Sequence, residues 1–133
     1  MSKKPEAMTK TIKILICDDE PFVLRLLQVH FERKGFDVHT ATNGREALEF
    51  LSKETPDVCL LDVMMPYVSG LEVLTKIRTN PETENLPVVM LTVKAQVEEV
   101  VEGYHRGADI YLTKPFDPEE IVRYVELIFE HSH

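Results

Sequence analysis

The sequence predicts an α/β fold, a doubly wound (βα)5 sandwich in which a five-stranded parallel sheet carries helices on both faces. Three observations predict it. Short apolar runs alternate with stretches of helical spacing five times over. The runs are nearly continuously apolar rather than alternating with polar residues, as expected of strands covered on both faces. A length of 133 residues with a hydrophobic fraction of 44% suffices for one domain with a sizeable core and excludes global disorder.

Residues 1–11, MSKKPEAMTKT, are polar and contain a proline, so they are expected to form a flexible tail ahead of a domain spanning 12–130. Ile12–Cys17 (IKILIC) reads as the first strand, and Asp18, Asp19, Glu20 and Pro21 stop it. Pro21 suits the first turn of a helix, where its missing N–H costs nothing. A first helix follows over Phe22–Lys34, ended by Gly35. Phe36–Ala41 is the second strand, Asn43-Gly44 a turn, and Arg45–Lys53 a helix with Ala47, Leu48 and Leu51 on one side. Asp57–Leu61 is the third strand. Ser69 is placed to cap a third helix over Ser69–Arg78, with Glu72 completing a capping box. After a loop over 79–85, Leu86–Leu91 is the fourth strand and Ala95–His105 the fourth helix. Ile110–Leu112 is a short fifth strand. The last helix runs from Asp117 to about Glu130, with Pro118 and acidic residues at the positive end of its dipole, and HSH at 131–133 forms the C-terminal end.

The formal net charge of −8 argues against nucleic-acid or anionic-membrane binding by this domain alone. No apolar run is long enough to span a bilayer and the start lacks a signal-peptide core, so a cytoplasmic location is expected. Cys17 and Cys59 lie within apolar strands without CxxC spacing and read as buried thiols. The five histidines, two of them in the terminal HSH, are scattered and suggest no metal site.

Chemistry is expected where the carboxyl ends of parallel strands gather. Strand one ends in Asp18-Asp19, strand three in Asp62, strand four in Thr92, and strand five just before Thr113-Lys114. Each alone has an ordinary reading as a loop, capping or surface residue; together they bring three carboxylates, a hydroxyl and an ammonium to one edge. Clustered carboxylates repel and need a compensating cation. Few oxygen ligands with retained waters suit Mg²⁺ better than Zn²⁺ and leave room for a phosphate. An aspartate attacking phosphorus gives an acyl phosphate, and Lys114 and Thr92 can stabilise the transferring group.

The segments IKILICDDEP, NGREALEFL, PDVCLLDVMMP, GLEVLTKIR, LPVVMLTVKA and GADIYLTKPF, in this order and at these distances, resemble the receiver domains of two-component response regulators from Ile12 to about Phe129. The resemblance implies a flavodoxin-like sheet of strand order 2-1-3-4-5 and a chemotaxis-Y-like domain. It implies Asp62 as the phosphoacceptor and as a ligand of Mg²⁺. Asp19 would be a direct Mg²⁺ ligand, Asp18 an acidic partner acting through metal-bound water, and the Met64 backbone carbonyl a further ligand. Thr92 and Lys114 would contact the phosphoryl group, Tyr111 would be the switch aromatic, and the Lys114-Pro115 bond would be cis. The donor would be a histidine kinase or histidine phosphotransfer protein. The domain would catalyse its own phosphorylation and slow dephosphorylation without being an enzyme in the ordinary sense. Phosphorylation would switch a surface of the fourth helix, fifth strand and last helix toward a downstream effector, as a monomer or a phosphorylation-dependent dimer.

Several positions depart from the family pattern. Val93 stands where alanine or glycine is usual, which predicts a narrower approach to Asp62. Ser69 replaces a common aspartate but can still cap its helix. Met64 and Lys94 supply no obvious base for hydrolysis, which predicts no very rapid loss of the phosphoryl group. Ile110 and Tyr124 stand where DNA-binding relatives carry dimer-forming Asp and Arg, leaving Asp109. This favours a stand-alone receiver or a different multidomain arrangement. Among competing readings, an aspartyl phosphatase lacks its second acid, since Val63 and Met64 follow Asp62. A flavin-binding module would meet Asp18-Asp19-Glu20 where a phosphate-cradling loop is needed. A receiver-like interaction domain that is never phosphorylated would be expected to have lost one of the site residues, all of which are present.

Overall fold

A computed structural model describes residues 11–93 and 107–130. The expected N-terminal tail up to residue 10, the fourth helix over 95–105, Lys94 and the terminal HSH lie outside the described residues. Five strands are present: β1 (Lys13–Cys17), β2 (Asp37–Ala41), β3 (Val58–Asp62), β4 (Val88–Val93) and β5 (Ile110–Lys114). Among the described residues four helices accompany them: α1 (Pro21–Arg33), α2 (Gly44–Lys53), α3 (Gly70–Thr79) and α4 (Pro118–Glu130). The sheet is wholly parallel with strand order β2-β1-β3-β4-β5, so order reverses between β1 and β3. Their carboxyl ends flank the crevice where open α/β sheets hold ligands.

Alternation within the strands divides the core into two layers. Ile14, Ile16, Val58, Leu60, Val89 and Leu91 pack with Leu24, Leu27 and Phe31 of α1 and Ile121, Val122 and Val125 of α4. Leu15, Cys17, Cys59, Leu61, Val88 and Met90 face the other way, onto Ala47 of α2 and Leu71, Leu74 and Ile77 of α3. Covering both faces requires the continuous apolar runs seen in the sequence. Both cysteines are buried and free, and burial pushes both thiols up, that of Cys59 to about 12.

Local chemistry sets the helix ends. Pro21 opens α1, and Gly35 follows it at φ +89°. The Ser69 hydroxyl accepts from the Glu72 N–H at 3.2 Å while Glu72 accepts from the Ser69 N–H at 2.9 Å, the capping box expected from the sequence. Asn43-Gly44 is part of a helix start rather than a separate turn. Asn43 Oδ1 accepts from the Glu46 N–H at 2.8 Å and Gly44 is the first residue of α2.

Each strand shifts by one or two residues at one end or both, and the shifts of β4 have a hydrogen-bonding reason. β4 starts at Val88 rather than Leu86, because Pro87 has no N–H to give a ladder, although its carbonyl accepts from Cys59 at 3.0 Å. It continues through Thr92 and Val93 because β5 runs on to Lys114, pairing Thr92 with Thr113 and Val93 with Lys114. Thr92 is thus within a strand, not beyond its end. β3 begins one residue late and takes in Asp62, paired with Leu91. Among the described residues no helix is long and apolar enough to cross a membrane.

Candidate functional site

The site grows from the carboxyl ends of β1, β3 and β5. β1 delivers Asp18 and Asp19 immediately after Cys17, and the Asp18 N–H is still held by the Ala41 carbonyl of β2 at 3.2 Å. Asp18 therefore points from a sheet edge and is fully buried. Its Oδ1 accepts from the Glu20 N–H at 2.9 Å, a turn that leads the chain into α1. Asp62 closes β3 and is nearly buried, and its Oδ1 lies 3.3 Å from the Met64 N–H donor. Asp19, by contrast, is exposed. One carboxylate oxygen from each of Asp18, Asp19 and Asp62 falls within 4.8 Å of the others, an acidic triad able to hold a divalent cation.

Lys114, the last residue of β5, reaches across this cluster. Its Nζ lies 2.9 Å from Asp18 Oδ2, 3.0 Å from Glu20 Oε1 and 3.4 Å from Asp62 Oδ2. The contact with Asp18 Oδ2 has the distance of an ion pair but not the alignment of a hydrogen bond, so that buried oxygen lacks a hydrogen-bond partner. A fully buried carboxylate oxygen in this state fits a cation ligand, directly or through its water. The donor set is entirely carboxylate oxygen, the preference of hard divalent ions. The peptide bond from Lys114 to Pro115 is cis.

The electrostatics agree with the geometry. Burial first, and then the Asp18 charge, pushes Asp62 up to about 7, against the pull of Lys114. Burial likewise raises Asp18, opposed by Lys114 and the Glu20 N–H. Burial alone would lower Lys114, but its close contacts with the carboxylates of Asp18 and Glu20 and the Asp62 charge hold it above its usual value. The two acids resist ionising together and the lysine stays charged between them.

Thr92 is buried on β4, and its Oγ1 donates to the Val93 carbonyl at 3.3 Å. Its strand neighbour Leu91 pairs with Asp62. Tyr111 is half-buried on β5, beside Met90 in register, against the α2–α3 layer of the core. The Met64 side chain is exposed on the rim. An open cavity of about 620 Å³ lies over Asp62 and Lys114, and Phe22, Met64 and Val93 contribute exposed apolar groups to its lining. The structure thus gathers Asp18, Asp19, Asp62 and Lys114, keeps Thr92 one residue from the Asp62 pairing partner, and seats Tyr111 in the neighbouring strand.

Glu20 joins the site, which sequence reasoning treated only as part of the loop that ends β1. Its signal was its position, an acid directly after Asp18-Asp19 with no helix-capping bond of its own. Asp109, read from the sequence as a residual dimer acid, is engaged within the chain. Its Oδ2 accepts from the Val88 N–H at 2.7 Å and pairs with Arg78 at 3.0 Å.

Comparison with known proteins places these features in context. The response regulator receiver domain family matches residues 14–126. The transcriptional regulatory protein SrrA of Staphylococcus aureus is 41% identical over 120 residues, covering 90% of this chain and 48% of SrrA. The chain thus spans about half the length of the curated relatives it matches. Among solved structures, a response regulator from Chloroflexus aurantiacus is similar at 34% identity and a TM-score of 0.86, over 92% of this chain and all of that one. The chemotaxis response regulator CheY4 of Vibrio cholerae is similar at 32% identity and a TM-score of 0.84, over 90% of this chain and 99% of that one.

Proposed function

The chain belongs to the response regulator receiver domain family, and from that premise we propose that Asp62 accepts the phosphoryl group, in a Mg²⁺-dependent reaction, from a phosphohistidine of a histidine kinase or histidine phosphotransfer protein. The receiver architecture and the acidic triad support phosphoacceptor function. The observation that carries the assignment to Asp62 is its place at the end of the central strand β3, between the Asp18–Asp19 pair and the Lys114 ammonium. We take the receiver unit to span 12–130.

In this reading an ionised Asp62 oxygen attacks phosphorus, the P–N bond breaks, and its electron pair stays on the imidazole, which leaves as a neutral ring because its other nitrogen already carries a proton. Asp19, Asp18 and the Met64 carbonyl hold Mg²⁺, which when bound supplies charge neutralisation for the carboxylates and for the transferring phosphoryl oxygens. Lys114 offsets phosphoryl charge, and the Thr92 hydroxyl donates to a phosphoryl oxygen. Tyr111 responds to Thr92 as the switch aromatic. The altered surface, made by β5, α4 and the segment between β4 and β5, meets a downstream effector. Water later hydrolyses the acyl phosphate slowly. The test is intact-mass measurement after treatment with a small phosphodonor and Mg²⁺. One phosphoryl group is expected on the parent and none on Asp62→Asn; an unmodified parent, or equal labelling of the variant, overturns the reading.

A further inference from the structure

Seven residues, Val63 to Ser69, join β3 to α3, and on the reading above this loop carries the Met64 carbonyl toward the metal. Its course is constrained from both sides. Gly70 passes so close to β3 that a Cβ there would lie 2.0 Å from the Asp62 carbonyl oxygen, and its N–H donates to the Val63 carbonyl at 2.9 Å. Gly44, at the start of α2, is pressed by the loop from the other direction, and a Cβ there would lie 2.0 Å from the Val68 carbonyl oxygen. Directly before Val68 stands Tyr67 at φ +69°, the only non-glycine residue in the left-handed region among the described residues.

A bulky side chain at that φ works against its own backbone. Core packing does not hold Tyr67 there, because the side chain is largely exposed. What meets it is Arg45, the residue after Gly44, whose guanidinium carbon lies 4.7 Å from the ring centroid. That distance is in the range of cation–ring attraction. The guanidinium therefore touches the loop at its one strained residue, from the helix start that the loop already packs against.

We propose that Arg45 and Tyr67 form a clamp that holds the β3–α3 loop in its left-handed turn, and that both act as positioning residues for the Met64 backbone at the metal site. The clamp rests on the reading of Asp62 and its neighbours as that site. Strained residues persist where surrounding contacts over-determine them, and a loop already held in its binding form pays less ordering cost when a ligand arrives. Neither residue touches the reacting atoms, so each acts through Met64.

Two readouts test the clamp. The first is amide exchange in the metal-free protein at Val68 and Gly70, whose N–H groups donate to the Pro66 and Val63 carbonyls. The second is Mg²⁺ affinity by calorimetry. Arg45→Ala and Tyr67→Ala are expected to speed exchange and weaken Mg²⁺ binding by about two- to fivefold, the scale of an exposed cation–ring contact. Tyr67→Phe keeps the ring and is expected to match the parent. Tyr67→Gly adopts the turn without strain, so Arg45→Ala added to it is expected to change nothing further. Parental exchange in Arg45→Ala, or an equal effect of Arg45→Ala with and without Tyr67→Gly, overturns the clamp. A parent that fails to bind Mg²⁺ counts against the site reading instead, and the exchange rates then judge the clamp alone.

Discussion

Lys114 Nζ lies 2.9 Å from Asp18 Oδ2, and this pair joins the last residue of β5 to the residue following β1 with little solvent between them. Its removal would leave two buried acids without their fixed cation. Breaking such a pair costs about 3–5 kcal/mol when the remaining charge is trapped. Here the acids can take up protons, so Lys114→Met is expected to lose ~3 kcal/mol at pH 8 and clearly less at pH 5. Denaturant midpoints at the two pH values measure this. An equal loss at both would show that the lysine stem packs but its charge does not matter.

Asp62 carries the opposite pH signature. Burial and the Asp18 charge push it up to about 7, whereas an aspartate in the unfolded chain titrates near 3.8. Between those values the folded protein binds a proton that the unfolded chain has released. Stability from this group is therefore present at low pH, falls as pH rises through the window, and is lost above about 7. Asp62→Asn removes the charge. With a chelator present, the variant is expected to melt several degrees above the parent at pH 8 and by a clearly smaller margin near pH 5. Adding Mg²⁺ is expected to narrow the difference at pH 8 by stabilising the parent. A parent whose melting temperature rises from pH 5 to pH 8 would contradict the sign.

The contrast between these two residues also shows what a sequence of this kind makes legible. Asp18, Asp19, Asp62 and Lys114 could be placed together because each follows an apolar run, and parallel strands bring their carboxyl ends to one edge. Ser69 and Glu72 were readable because a capping box needs only spacing within one turn. Thr92 was read as lying past its strand, because the pairing that extends β4 belongs to β5 and is not local. Glu20 was passed over for a similar reason, since its partner Lys114 arrives from the far end of the chain. The left-handed turn at Tyr67 has no local signal at all. Tyrosine is a poor residue for that conformation, and the contact that meets it comes from another helix.

Arg78 has the clearest purely structural role. From the end of α3 its Nε donates to the Gly107 carbonyl at 2.9 Å and its Nη1 to the Leu86 carbonyl at 2.6 Å, while Nη2 meets Asp109 at 3.0 Å. It thus ties α3 to the residues that lead into β4 and β5. Its Nη1 also donates to the Glu84 carbonyl at 3.2 Å, so Arg78→Ala takes a donor from three carbonyls and a carboxylate at once. The expected loss is about 2–3 kcal/mol in unfolding free energy. Asp109→Asn keeps an acceptor for Val88 and is expected to lose less than half as much. A larger loss in Asp109→Asn than in Arg78→Ala would reverse the assignment of the hub.

Val93 stands on the open side of the cavity over Asp62. It is 43% exposed and lines the same cavity as Asp62, Met64 and Phe22. Its pairing with Lys114 fixes the backbone, so a smaller side chain there widens the entrance without moving the strand. Val93→Ala is expected to raise the rate of phosphorylation by a small phosphodonor about two- to fivefold, the effect of ~0.5–1 kcal/mol on a barrier. Stability is expected to change by less than about 0.5 kcal/mol, because the side chain contributes little to the core. Single-turnover labelling followed by intact-mass measurement compares the two proteins directly. Equal rates, with both variants fully folded, would mean that the branched side chain stands beside the entrance without restricting it. A gain accompanied by a large drop in stability would place its effect in the strand rather than in access.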